Sequence, residues 1–116
     1  MTKEKEEVIR MLENVQVLFH SSIKITEGKV IYIDPYGIDK NYNDADIIFI
    51  THDHYDHYSE EDIDKVIKEN TSIVAPEELF TKLIRKGINP NAITTVKPNE
   101  EYMVQGIKFE TIPAYN

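Results

Sequence analysis

Short apolar, β-branched segments dominate the pattern of hydrophobic and polar positions, and they predict a succession of strands. Three of them occupy residues 15–19, 22–26 and 29–33, and Glu27-Gly28 predicts a hairpin turn between the second and the third. The uninterrupted apolar run at 47–50 is typical of a strand that is buried on both faces. Further strands are predicted at positions 72–75, 93–96, 101–104 and 107–112.

Helical spacing of apolar residues predicts three helices among these strands. A leading helix is predicted over residues 1–14, before the first strand. Ser59 predicts the N-cap of the second helix, which has Asp62 three positions later and continues to about Asn70. Pro76 opens the third helix, and Lys86-Gly87 ends it. The order of elements predicts a mixed sheet of the α/β (α+β) class, formed by one partial domain over residues 1–116.

Composition and charge restrict the classes of partner. Hydrophobic residues make up 41% of the chain and charged residues 29%, which is typical of a soluble globular protein. A formal net charge of -8 disfavours binding to nucleic acid and to anionic membranes. A small anionic substrate remains compatible with this charge, because a metal ion can outweigh the overall field locally. With no signal peptide and no apolar run of about 20 residues, the expected location is cytoplasmic.

Three of the four histidines lie in the segment Thr-His-Asp-His-Tyr-Asp-His at 51–57, directly after the strand predicted at 47–50. His52 and His54 point the same way if the backbone is extended, so they can share one metal ion. Asp56 and His57 follow in the turn into the next helix and can serve a second metal ion. The chain has no cysteine, so any metal must be held by histidine and carboxylate. The alternative is a solvated polar loop, but so many imidazoles beside a carboxylate favour metal coordination.

This segment matches the T-H-x-H-x-D-H motif of the metallo-β-lactamase superfamily. The flanking residues 19–25 and 30–35 resemble the opening of the branch that includes ascorbate-6-phosphate lactonase and related uncharacterised zinc-dependent hydrolases. The resemblance extends from about Val15 to Asn116. It implies the N-terminal half of the αββα sandwich of that superfamily.

The resemblance also implies a set of metal ligands and a reaction. His52 and His54 would bind the first of two zinc ions, and Asp56 and His57 would bind the second. Asp56 is in addition the expected catalytic residue, which orients the metal-bound water. The implied function is a metal-dependent hydrolase in which a metal-bound hydroxide attacks an ester, lactone, amide or phosphodiester of a small molecule.

Two further residues match the branch less specifically. Asp34, at a predicted strand end, is expected to hold a ligand histidine in the right tautomer, and the alternative is an ordinary Asp-Pro turn. His20 is either a packed histidine at a strand end or a contact on the substrate side of the site. Manganese or iron could occupy the same ligands as zinc.

The ligands that the family supplies from its second half, two further histidines and a bridging aspartate, are not expected within these 116 residues. The chain by itself is therefore expected to be inactive. Three interpretations stay open. The chain is a truncated form that lacks its C-terminal half, or a short protein that completes itself as a homodimer, or a non-catalytic metal-binding module.

Overall fold

The computed structural model describes residues 15–17, 23–26, 28–51 and 58–111. The helix predicted over residues 1–14 lies outside these ranges. Among the described residues, no helix combines the length and the apolar character needed to cross a bilayer.

Six described strands form one mixed sheet in the order in which they follow along the chain. The first pairs are antiparallel, from β1 to β2 and from β2 to β3, and all pairs from β3 to β6 are parallel. The parallel strands therefore end at one common edge of the sheet. The bounds are β1 Val15–Val17, β2 Ile23–Thr26, β3 Val30–Ile33, β4 Ile47–Phe49, β5 Ser72–Pro76 and β6 Ile93–Val96.

Two short helices connect the parallel strands, α1 at Glu60–Val66 and α2 at Phe80–Lys86. The strands agree with the sequence prediction to within a few residues, whereas the end of α1 near Asn70 was predicted wrongly. The carbonyl of Lys65, which would accept from residue 69 in a longer helix, accepts instead from the backbone N–H groups of Tyr42 and Asn43. The β3–β4 loop thus terminates the helix at Val66, four residues early.

The two faces of the sheet pack against different layers. Ile48 and Ile50 lie on the face that packs against the helices, with Ile63, Val66 and Leu83 as partners. Alternate residues, Ile47 and Phe49, lie on the other face. Because successive side chains of a strand point to opposite faces, the continuous apolar run of β4 fills two cores at once.

The second face of the sheet is covered by the antiparallel hairpin of β7, Glu101–Val104, and β8, Ile107–Glu110. Phe109 packs edge-on against Phe49 of β4, with 4.9 Å between ring centroids. At the hairpin turn, the side-chain amide of Gln105 donates hydrogen bonds to the carbonyl of Asp46, at 2.7 Å, and to the hydroxyl of Ser72, at 2.9 Å. These two residues lie where β4 and β5 begin, so the open end of the hairpin lies toward the edge where the strands end.

Candidate metal centre

The predicted metal ligands His52, His54, Asp56 and His57 lie outside the described residues. We call residues 52–57 the histidine segment. The structure describes the residues that directly precede and follow this segment. Its neighbours are Thr51, which follows β4, and Tyr58, which precedes α1. The predicted substrate-side residue, His20, also lies outside the described ranges.

The position of the histidine segment in the fold agrees with the expectation for a ligand site. β4 lies inside the sheet, between β3 and β5, and is parallel to both. The backbone N–H of Ile50 still donates to the carbonyl of Val74, at 2.8 Å, so the sheet extends to the residue before Thr51. A segment that follows the C-terminal end of such a strand begins at the edge of the sheet where α/β proteins usually bind ligands.

Asp34 fixes the residue that precedes the histidine segment. One carboxylate oxygen of Asp34 accepts from the backbone N–H of Thr51 at 2.8 Å, and the other accepts from the Thr51 hydroxyl at 2.6 Å. The backbone N–H of Asp34 donates to the carbonyl of Phe49, at 2.8 Å. Asp34 is fully buried, and its φ of 49° is a left-handed conformation that aspartate tolerates better than most residues. It therefore ties the end of β3 to the end of β4.

The sequence predicted a different partner for Asp34, a ligand histidine. That contact involves residues outside the described ranges and stays a prediction. The contact with Thr51 was not expected, although Thr51 belongs to the motif itself.

Beyond the histidine segment, the chain returns to the core at Tyr58. This side chain is almost fully buried, and its hydroxyl donates to a carboxylate oxygen of Glu60 at 2.9 Å. Burial, followed by the hydrogen bond to Glu60, raises the pKa of Tyr58, so the phenol is neutral at physiological pH. The ammonium of Lys82 lies 5.8 Å from the centre of the ring.

The start of α1 is fixed by a second buried carboxylate, Asp62. Ser59 is the N-cap, and its hydroxyl donates to one oxygen of Asp62 at 2.8 Å. The other oxygen of Asp62 accepts from the backbone N–H of Ile38, at 2.9 Å. Sequence analysis identified Asp62 only as part of a helix start. It missed the contact with Ile38, which lies 24 positions away and leaves no signal in local spacing.

The donor chemistry of the histidine segment fits a divalent metal ion. Within the described part of the chain, no group of three or more His, Cys, Asp or Glu residues could hold one. Three imidazoles and the Asp56 carboxylate fall within six consecutive positions, 52–57. Nitrogen and carboxylate donors in that combination suit zinc and related cations. The segment therefore remains the candidate ligand set.

Comparisons with known proteins agree with the fold and with the family that the sequence resembles. The chain is 38% identical over 98 residues to a UPF0173 metal-dependent hydrolase of Bacillus thuringiensis (strain Al Hakam), a match that covers 78% of this chain and 42% of that protein. It is also 38% identical over 78 residues to a UPF0173 metal-dependent hydrolase of Geobacillus sp. (strain WCH70), covering 60% of this chain and 34% of that protein. The chain thus spans less than half the length of these relatives.

A solved structure gives the same result at the level of the fold. A protein from Parabacteroides distasonis ATCC 8503, assigned as a metal-dependent hydrolase, superposes with a TM-score of 0.66 and 28% identity over 87% of this chain and 45% of its own. The mixed α/β fold expected from the resemblance is therefore confirmed. The model of the beta-lactamase superfamily domain matches residues 14–116, and the chain belongs to that family.

Proposed function

We propose that the histidine segment binds one or two divalent cations, of which zinc is the preferred one. We further propose that the segment forms the metal site of a metal-dependent hydrolase. The proposal rests on the anchoring of Thr51 by the buried Asp34, because Thr51 directly precedes the six-residue segment that holds all four candidate ligands. Similarity to relatives named as metal-dependent hydrolases supports it. Manganese and iron are the alternative metals.

Each candidate ligand has a role in this proposal. His52 and His54 hold the first cation, and Asp56 and His57 hold the second. When bound, a divalent cation supplies Lewis-acid activation of water and of the substrate oxygen. The Asp56 carboxylate accepts a hydrogen bond from the attacking water and so orients it. Asp34 acts on the backbone, because it fixes Thr51 and with it the point from which His52 starts.

The proposed substrate is a small molecule with an ester, lactone, amide or phosphodiester bond. No serine or cysteine nucleophile is needed for this chemistry, and the chain has no cysteine. The net charge of -8 favours a small substrate over nucleic acid, because nucleic-acid binding depends on many cationic contacts. A cytoplasmic location belongs to the same proposal.

A homodimer is the second candidate, and the outer face of the β7–β8 hairpin favours it. Met103 is 59% exposed there and borders a shallow groove of about 450 Å³ that residues of both strands line. We infer that a second copy of the chain buries this side chain in the dimer. Sedimentation velocity should show concentration-dependent association that Met103→Lys weakens, and a monomer over the whole concentration range would exclude this candidate.

Metal binding by the purified chain tests the main proposal. Metal-free protein is titrated with zinc in competition with a chromophoric chelator, and the metal content is measured independently. The wild type should bind zinc, and His54→Ala should lose most of its affinity. His20→Ala is the matched control, since it removes an imidazole outside the segment and should leave metal affinity unchanged. A folded wild type that takes up no zinc, manganese or iron would overturn the proposal.

A further inference from the structure

We propose that Asp62 is a positioning residue for the metal site, an inference that rests on the proposed function. Asp62 lies on α1, outside the motif, and its side chain connects the end of the histidine segment to the loop that holds its beginning. The geometry of this connection is given by contacts on both sides of the segment.

The first part of the connection is at Ser59. This residue is two positions beyond His57, and its hydroxyl donates to Asp62 at 2.8 Å. The backbone N–H of Asp62 approaches the same hydroxyl at 3.3 Å, and the N–H of Ile63 donates to the Ser59 carbonyl at 2.9 Å. An N-cap needs only the backbone contacts. The bond between the two side chains fixes the serine rotamer in addition.

The second part is at Ile38, whose two backbone polar groups are both held by α1. The N–H of Ile38 donates to Asp62 at 2.9 Å, and its carbonyl accepts from the ammonium of Lys65 at 2.8 Å. The ammonium of Lys65 also lies 3.8 Å from a carboxylate oxygen of Asp62. The side chain of Ile38 is buried in the core on the helix side of the sheet. Because these bonds include charged groups and are mostly removed from water, they define one position of the loop on α1.

The third part is the short chain between Asp34 and Ile38. Four residue steps span at most about 14 Å, so the two anchors cannot separate far. Asp34 fixes Thr51 at the start of the histidine segment, and Ile38 meets Asp62, which fixes Ser59 beyond its end. One stretch of the β3–β4 loop, residues 34–38, therefore links the residues on either side of the histidine segment, Thr51 and Ser59.

Fixed ends favour metal binding for an entropic reason. When several side chains of a short segment converge on one ion, the segment loses conformational freedom, and an arrangement fixed beforehand loses less. Groups that orient metal ligands through hydrogen bonds typically contribute about 10- to 100-fold to metal affinity. For Asp62, which acts through Ser59 and the loop, we expect an effect near the lower value, about 10-fold.

The experiment compares zinc dissociation constants of folded variants at neutral pH. Asp62→Ala should weaken zinc binding about 10-fold. Asp62→Asn should stay close to wild type, because the amide oxygen can still accept from Ile38 and the amide nitrogen can donate to the Ser59 hydroxyl. Glu61→Ala is the matched control, since that side chain is 84% exposed on the same helix, and it should bind zinc as the wild type does.

The outcomes separate this inference from the proposed function. If Asp62→Ala is folded and binds zinc as tightly as Glu61→Ala, Asp62 has only a structural role, and the inference is wrong while the proposed function stands. If the folded wild type binds no metal, both are wrong. Should Asp62→Ala fail to fold, Ser59→Ala removes the same side-chain bond together with the helix N-cap. The zinc dissociation constant of Ser59→Ala then tests the inference, and a value equal to that of the wild type overturns it.

Discussion

Replacing Thr51 with valine removes one hydroxyl group at the point where β4 leads into the histidine segment. Valine keeps the branched shape and removes the hydrogen bond from the hydroxyl to Asp34, which is 2.6 Å long. The N–H of Thr51 continues to donate to the other carboxylate oxygen at 2.8 Å. Asp34 is fully buried, so bulk water does not reach the oxygen that accepted from the hydroxyl.

The expected loss follows from that burial. A hydrogen bond to a charged group contributes about 1.5 to 3 kcal/mol to the free energy of unfolding. We therefore expect Thr51→Val to lower the free energy of unfolding by about 2 kcal/mol. Thr51→Ser, which retains the hydroxyl, should lower it by less than about 1 kcal/mol.

Urea denaturation of the metal-free chain measures both values, provided that the dependence on denaturant is the same in each variant. A double-mutant cycle with Asp34→Asn isolates the contact, and a coupling energy of about 1 kcal/mol is expected. If Thr51→Val stays within about 0.5 kcal/mol of the wild type, or if the two substitutions are additive, Asp34 does not hold Thr51 as the structure indicates.

Three other predictions concern charge, the hairpin turn and the metal. The hydrogen bond from the backbone N–H of Val30, followed by that from Lys68, lowers the pKa of Asp46 below its usual 3.8. The Asp46 carboxylate therefore stabilises the fold above pH 3.8, and this contribution is lost as the pH falls through the lowered pKa. Asp46→Asn should accordingly flatten the acid side of a plot of unfolding free energy against pH. Gln105→Glu replaces the amide donor with an acceptor beside the Asp46 carbonyl and should lower the free energy of unfolding by about 2 kcal/mol in urea denaturation, whereas an unchanged value would show that the turn is held by other contacts. Zinc at 100 times its dissociation constant should raise the free energy of unfolding by about 2.7 kcal/mol, and chelation should leave the far-UV circular dichroism of the chain unchanged.

The strands could be predicted well from the sequence because their signals are local. The continuous apolar run at 47–50 indicates burial on both faces, and the structure places Ile48 among the helices and Phe49 against the hairpin. The hairpin turn was also predictable, because only Gln105-Gly106 separates the strands predicted at 101–104 and 107–112 and glycine favours such a turn. In the structure both residues adopt positive φ values. The local sequence pattern gives no sign of the contact between Gln105 and Asp46, because these residues lie 59 positions apart.

The parts of the site that the sequence did not reveal depend on the β3–β4 loop. This loop lacks regular secondary structure, so periodicity says nothing about where it lies. In the structure, backbone N–H groups of this loop donate to the carbonyl of Lys65 and so end α1 early. Another backbone N–H of the loop, that of Ile38, donates to the Asp62 carboxylate. The motif predicts which residues bind a metal ion, whereas the groups that position the motif come from contacts distant in sequence.

The same loop explains how the residues on either side of the histidine segment are held. The histidine segment follows a strand whose side chains are packed on both faces. The residues on either side of the segment, Thr51 and Ser59, are each bound by a buried carboxylate that belongs to the stretch 34–38 or contacts it. None of these contacts includes a candidate metal ligand, so we expect them to contribute to the stability of the metal-free chain. Substitutions at Asp34 or Asp62 should therefore change both the stability of the metal-free chain and its metal affinity. Substitutions at the ligands themselves should lower the affinity and leave that stability nearly unchanged.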